Sequence, residues 1–253
     1  MTDEFRAGTT TVTGHGGDRI EAYAATPAAA TGAGGVVVIH HMPGFDEATK
    51  EIVRRFASWG YAAVAPNLHH REAPGASPDD AAAANRAAGG VSDERLVGDV
   101  SGAVDHLRAV AGSNGAVGVI GFCSGGRQAV LAACSLEVAA AVDCYGAFAF
   151  SDPPADSGRP PMSLADRLPE LSGPLLGLFG PDDTHPGPEE VAALDARLTE
   201  LGKPHAFHTF AGASHAFFAV DRPSYRVEAA TAGWDLVHDF FAEHLGIPQR
   251  WGR

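Results

Sequence analysis

Val117-Gly118-Val119-Ile120-Gly121-Phe122-Cys123-Ser124-Gly125-Gly126-Arg127 joins two kinds of local structure within eleven residues. A β-rich apolar run ends at Gly121, Cys123 stands between close glycines, and Gln128-Ala129-Val130-Leu131-Ala132-Ala133 is helix-compatible. A strand that turns sharply into a helix around a reactive side chain is a nucleophile elbow. Its neighbours must be small, because the backbone there is strained and the side chain has to stand clear of the sheet edge. The amide of Ser124, at the start of the helix, is placed to hold an oxyanion, and the helix dipole favours a Cys123 thiolate. A glycine turn around an inert buried cysteine reads the same way in isolation, so the rest of the chain has to decide.

On either side, apolar runs and helical patterns alternate. Val36-Val37-Val38-Ile39 is a continuous β-branched run, the mark of a parallel strand buried on both faces, and it empties into His40-His41-Met42-Pro43-Gly44. Asp46 caps the helix that follows, Ile52, Val53 and Phe56 form its apolar face, and Gly60 stops it. Further strands are expected at 61–65, 138–144, 174–179 and 205–210, and residues 8–25 read as a hairpin of edge strands. Helices are expected from Ser92 with Leu96, Val100, Val104 and Leu107 on one face, from Pro188 to Gly202, and from about Ser224 to Leu245. Residues 67–90 read as irregular and pocket-shaping, and 151–173, with five of the seventeen prolines, as a loop. The alternation predicts an α/β fold: one doubly wound, mostly parallel sheet with helices on both faces, and residues 1–253 as a single domain.

Composition narrows the function. Against 18 basic residues stand 31 acidic ones, a net charge of −13 without a Lys/Arg run, which argues against nucleic acid and anionic membranes as partners. Met1-Thr2-Asp3-Glu4-Phe5 has neither a basic nor an apolar leader character, and no apolar run approaches the roughly 20 residues of a membrane span. The three cysteines show no paired spacing, so a reduced, cytoplasmic protein is expected.

Chemistry in such sheets collects beyond the carboxyl ends of the strands. Cys123, Asp182-Asp183 and His215 fall at three such ends in the chain order nucleophile, acid, base, which belongs to the α/β-hydrolase fold. A thiol needs a base within reach, an imidazole titrates near working pH, and a carboxylate fixes the imidazole's tautomer. Of the two aspartates Asp183 is favoured, three residues past Gly180, with Asp182 free to cap the turn. Any one of these alone reads as a turn residue or a surface histidine; together they read as a catalytic set.

Gly121-Phe122-Cys123-Ser124-Gly125-Gly126, the Gly-x-x-Asp at 180–183 and Gly212-Ala213-Ser214-His215-Ala216-Phe217 resemble the dienelactone hydrolase family. Gly60-Tyr61, Ala65-Pro66-Asn67-Leu68 and Tyr145-Gly146 extend the likeness over nearly the whole chain. The resemblance implies a single-domain hydrolase with a Cys-His-Asp triad of Cys123, His215 and Asp183, and an oxyanion hole from the amides of Ser124 and Met42. It also implies substrate contacts from His41, Arg71 and Tyr145. Two positions depart: His41 stands where the family's dienelactone-processing members carry Glu, and Ala219 stands where their second substrate-binding arginine falls.

His40-His41 and His69-His70 follow neighbouring strands, but no carboxylate or thiol completes a metal spacing, and no metal or other cofactor is expected. Cys134 and Cys144 read as core thiols. The expected function is hydrolysis of a lactone or small carboxylic ester through an acyl-enzyme on Cys123. The alternatives on the same fold are a lyase or isomerase, or a non-catalytic small-molecule receptor.

Overall fold

The computed structural model describes residues 5–29, 32–110, 112–157 and 160–246. They condense into two compact units, one holding the residues up to Val119 together with those from Phe241 onward, the other Ile120–Phe240.

In the first unit β1 (Phe5–Thr13) and β2 (Arg19–Pro27) form an antiparallel hairpin in register from Phe5↔Pro27 to Thr13↔Arg19. β2 pairs antiparallel with β4 (Ala62–Pro66), and β4 pairs parallel with β3 (Gly35–Ile39), with Val36 opposite Ala63. Every residue of β3 and β4 is buried, as a two-sided parallel strand requires. Between them α1 (Glu47–Trp59) begins where the Asp46 carboxylate accepts the Thr49 N–H at 2.8 Å and ends at Gly60, whose φ of 99° needs glycine. Its Phe56 packs edge-on against Phe241 at 5.7 Å. α3 (Asp93–Arg108) is capped by Ser92 and buries Leu96, Val100, Val104 and Leu107, the face that the 3.6 period marks.

The segment from 67 to 90 is more ordered than its sequence suggests. It contains α2 (Pro78–Ala87), capped by the Ser77 hydroxyl and opened by Pro78 in its first turn. The helix escapes a periodicity reading because its buried face is only Ala81, Ala82 and Asn85, too small to register as an apolar stripe.

β5 (Val117–Phe122) leads the chain into the second unit and is buried throughout. There α4 (Ser124–Ala133) follows directly, then β6 (Ala140–Cys144), β7 (Leu175–Phe179), α5 (Pro188–Glu200), β8 (His205–Thr209) and α6 (Val227–Leu245). β6, β7 and β8 run parallel, with Asp143 opposite Gly177 and Phe179 opposite Thr209. The strand order is β1-β2-β4-β3-β5-β6-β7-β8, a mostly parallel eight-stranded sheet in which β3, β4, β5, β7 and β8 are each followed by an α-helix along the chain. β6 starts at Ala140, two residues later than its apolar run; the Val138 N–H instead donates to the Ser172 hydroxyl oxygen at 3.3 Å. Among the described residues no helix is long and apolar enough to cross a membrane.

Candidate active site

The second unit brings together Cys123, His215, Asp183 and Tyr145. Cys123 sits between β5 and α4 with φ 56° and ψ −122°, a conformation that L-residues avoid and that stores on the order of 1–3 kcal/mol. Two backbone bonds hold it there: its N–H donates to the Cys144 carbonyl at 3.0 Å, and its carbonyl accepts the Gly126 N–H at 2.9 Å. Gly121 has to be glycine, since a Cβ there would lie 1.7 Å from the Gly125 carbonyl oxygen. The Cys123 side chain is half-buried, whereas Cys134 and Cys144 are buried. Ser124 is the first residue of α4, so its amide is among the helix N–H groups that have no carbonyl four residues back.

Asp183 and His215 lie on two loops that touch through backbone. Asp182 donates its N–H to the Ala213 carbonyl at 3.1 Å, and Gly180 allows the approach, because a Cβ at 180 would stand 2.3 Å from that oxygen. Asp183, 5% exposed, accepts the His185 N–H on Oδ1 at 2.8 Å and faces His215 Nδ1 with Oδ2 at 2.8 Å. Asp182 is exposed. With Nδ1 occupied by Asp183, Nε2 is the nitrogen left for the Cys123 side chain, the imidazole's second hydrogen-bonding and charge partner. Burial alone would push the His215 pKa down; the hydrogen bonds and charges of Asp183 and Cys123 outweigh it and raise the value to about 10.

Tyr145 packs edge-on against His215 with ring centroids 5.2 Å apart. Its phenol is held protonated by burial. It is also strained, at φ 47°, and so are Ala216 at 62° and Phe148 at 65°, whose ring lies 6.0 Å from that of His185. Among the described residues, these three and Cys123 are the non-glycine positions with positive φ. All adjoin the Cys-His-Asp cluster, which is where proteins concentrate backbone strain.

The other residues expected at the site lie in the first unit. His41 Nε2 is 3.0 Å from Asp46 Oδ2, the carboxylate that also caps α1. Burial works against the Asp46 charge, yet His41 and the Thr49 amide hold its pKa at about 2. The sequence reading found the cap and missed this pairing; the cap alone accounts for an Asp at 46, so no separate signal pointed to His41. Met42 lies in the loop after β3. His40 is buried, donates from Nδ1 to the His41 carbonyl at 3.0 Å and accepts the Leu68 N–H on Nε2 at 3.2 Å, which fixes one neutral tautomer. His69 packs edge-on to it at 4.8 Å. Among the described residues no three His, Cys, Asp or Glu side chains form a metal-binding group.

Arg71 does not present a free guanidinium. Nε donates to Asp18 at 2.8 Å, Nη1 and Nη2 to the two oxygens of Asp99 at 2.8 and 2.9 Å, and Nη2 also to the His15 carbonyl at 3.3 Å. The Asp99 side chain is fully buried. Arg71→Ala would therefore strand a buried carboxylate, and a loss of about 3–5 kcal/mol in urea unfolding is expected. An unfolding midpoint unchanged from wild type would show that the pair contributes nothing to folding.

A model of the dienelactone hydrolase family matches residues 20–245. A Salmonella typhimurium relative named "Putative carboxymethylenebutenolidase" is 34% identical over 240 residues, covering 91% of this chain and 85% of its own length. An Escherichia coli K12 protein of the same name is 32% identical, covering 96% of this chain and 89% of its own. Among solved structures, the "Putative Dienelactone Hydrolase" of Klebsiella pneumoniae superposes with a TM-score of 0.82 at 27% identity, covering 94% of this chain and 99% of its own.

Proposed function

Because the chain belongs to the dienelactone hydrolase family, we propose that it hydrolyses a lactone or small carboxylic ester through a Cys123-His215-Asp183 triad and an acyl-enzyme. The observation that carries this reading is the His215 imidazole, taken at Nδ1 by Asp183 at 2.8 Å and partnered by the Cys123 side chain.

The Cys123 sulfur attacks the substrate carbonyl as thiolate while His215 holds the proton, the pairing in which a cysteine is a strong nucleophile. Negative charge moves to the carbonyl oxygen, which the Ser124 amide receives; the Met42 amide is assigned as its second donor on family resemblance. The tetrahedral intermediate collapses as the C–O bond breaks, and His215 passes its proton to the departing oxygen. In a lactone that oxygen stays tethered to the acyl group, so the ring opens. Water then attacks the thioester, His215 takes a proton from it, and the thiolate leaves. Asp183 fixes the tautomer and balances the imidazolium throughout.

Tyr145 keeps an expected place beside the substrate, through its contact with His215. The hydrogen bonds of Arg71 to Asp18 and Asp99 support a structural role for it rather than a substrate contact. His41 keeps its place on the resemblance alone. The family match over 20–245 supports reading 1–253 as a single catalytic domain. Three free thiols support a reducing, cytoplasmic setting.

The test is to mix the enzyme with p-nitrophenyl acetate and a panel of lactones, quench in acid and weigh the peptide containing Cys123. The expected result is turnover together with that peptide heavier by the acyl group. Turnover with no adduct on Cys123 at any quench time would overturn the acyl-enzyme.

A further inference from the structure

Asp143 is an anomaly in its surroundings. It lies one residue before the end of β6, in a strand whose five residues are all buried, and is itself 0% exposed. Its Oδ1 accepts the Gly146 N–H at 2.7 Å, and its Oδ2 has no hydrogen-bond partner among the described residues. An ionised carboxylate with one bare, unsolvated oxygen is costly; the group is far cheaper as the neutral acid.

Two glycines make room for this carboxyl. A Cβ at Gly126, in the first turn of α4, would lie 2.2 Å from Asp143 Oδ1, and one at Gly146 would lie 2.5 Å from the same atom. At Gly146 it would also meet the Arg127 amide at 2.3 Å. The carboxyl thus fills a slot between the nucleophile's helix and the turn that ends β6. That turn is Tyr145-Gly146, with Tyr145 in its strained conformation and its N–H on the Leu178 carbonyl at 3.0 Å. The next strand residue, Cys144, supplies the carbonyl that holds the Cys123 amide.

We propose that Asp143, as a neutral acid, is a positioning residue that clasps the Tyr145-Gly146 turn against α4 and so holds the Tyr145 ring on His215. The inference rests on the hydrolase reading only for its kinetic consequence. Asp143 touches neither Cys123 nor His215; it acts through the turn.

The titratable and charged groups around it are few. Cys144 is its chain neighbour, and burial keeps that thiol protonated. Glu190 of α5 opposes ionisation by its charge, and Arg127 of α4 directs Nε to the Met162 carbonyl at 2.8 Å. Burial pushes the Asp143 pKa up to about 8, against the Gly146 N–H, which pulls it down, and with Glu190, which adds to the rise. In the unfolded chain the same carboxyl titrates near 3.8. Folding stability linked to the neutral acid is therefore complete below that value and lost as the pH climbs through about 8.

The test uses D143N, which keeps the acceptor for Gly146 and cannot ionise, and D143L, which removes the acceptor. Three readouts are taken on the whole protein: the infrared band of a protonated carboxylic acid, the rate of iodoacetamide labelling at the Cys123 peptide, and kcat against pH. Wild type should show the acid band at neutral pH and D143N should lack it. D143L should label at an altered rate and lose about tenfold or more in kcat with little change in KM, the scale expected when a catalytic geometry is loosened. D143N should restore both and show a melting temperature that gains on wild type from about pH 4 to about pH 8. The proposal is overturned if wild type lacks the acid band, if D143N is as impaired as D143L, or if D143L behaves as wild type. Should D143L not fold, the band and the pH profile of D143N decide. The band and the labelling need no ester turnover, so a wild type that shows both yet hydrolyses nothing would sink the hydrolase reading and leave Asp143 in place.

Discussion

Cys123→Ala will leave a folded protein with essentially no ester turnover. The side chain is half-buried at the mouth of the elbow and supports no core packing, so the substitution removes chemistry and little else. The strained backbone is already present with cysteine, and alanine at the same φ costs no more. Removing the nucleophile of a comparable hydrolytic triad lowers kcat on the order of 10⁶-fold. What survives should be the small rate that any oxyanion-stabilising pocket gives to an attacking water. Cys123→Ser should retain a trace at most, because the less acidic hydroxyl demands more of His215. Initial rates on p-nitrophenyl acetate, with thermal melts in parallel, check both variants. A folded Cys123→Ala protein hydrolysing at wild-type rate would remove Cys123 from the mechanism altogether.

Asp183→Asn and Asp182→Asn will separate by orders of magnitude. Asp183 meets two donors at 2.8 Å, the His185 amide on Oδ1 and His215 Nδ1 on Oδ2. An asparagine that keeps its oxygen toward His185 must turn its NH₂ toward His215. The imidazole then answers with an unprotonated Nδ1, places its proton on Nε2, and can no longer receive one there. The same inversion in a serine triad costs about 10⁴ in kcat, and a loss of that order is expected. Asp182 contributes its backbone N–H to the contact with Ala213, while its side chain is exposed. Asp182→Asn should therefore stay within about twofold of wild type, as surface substitutions usually do. Comparing kcat for the two variants decides the assignment; equal activities, or the reverse order, would reject it.

Local signals and their spacing made much of this architecture readable from the sequence. The run of β-branched residues from Val36 to Ile39, the Asp46 and Ser92 caps and the glycine-flanked Cys123 each announce structure within a few residues. The pairing of Asp183 with His215 was legible because both follow strand ends, a rule of the fold. What stayed hidden depends on partners far along the chain or on side chains too small to mark a face. α2 buries only alanines and an asparagine. Arg71 finds Asp18 and Asp99 at separations of 53 and 28 residues, which no spacing announces, so its guanidinium was assigned to substrate. Asp143 looked like one polar letter in an apolar run, and its meaning depends on two glycines that arrive from different elements.

The backbone contact between the loops carrying Asp183 and His215 bears on how this protein can change. Asp182 N–H meets the Ala213 carbonyl, and Gly180 lets them approach, so the spacing of Asp183 and His215 is written in main chain. Substitutions that reshape neighbouring side chains leave that spacing alone. A library aimed at new substrates can therefore vary the exposed positions of 151–157 and 160–170 while holding 180, 213 and the buried Leu164, Leu168 and Leu171 constant. Drift in what the enzyme accepts and retention of how it reacts are then separable traits, inherited from different parts of the chain.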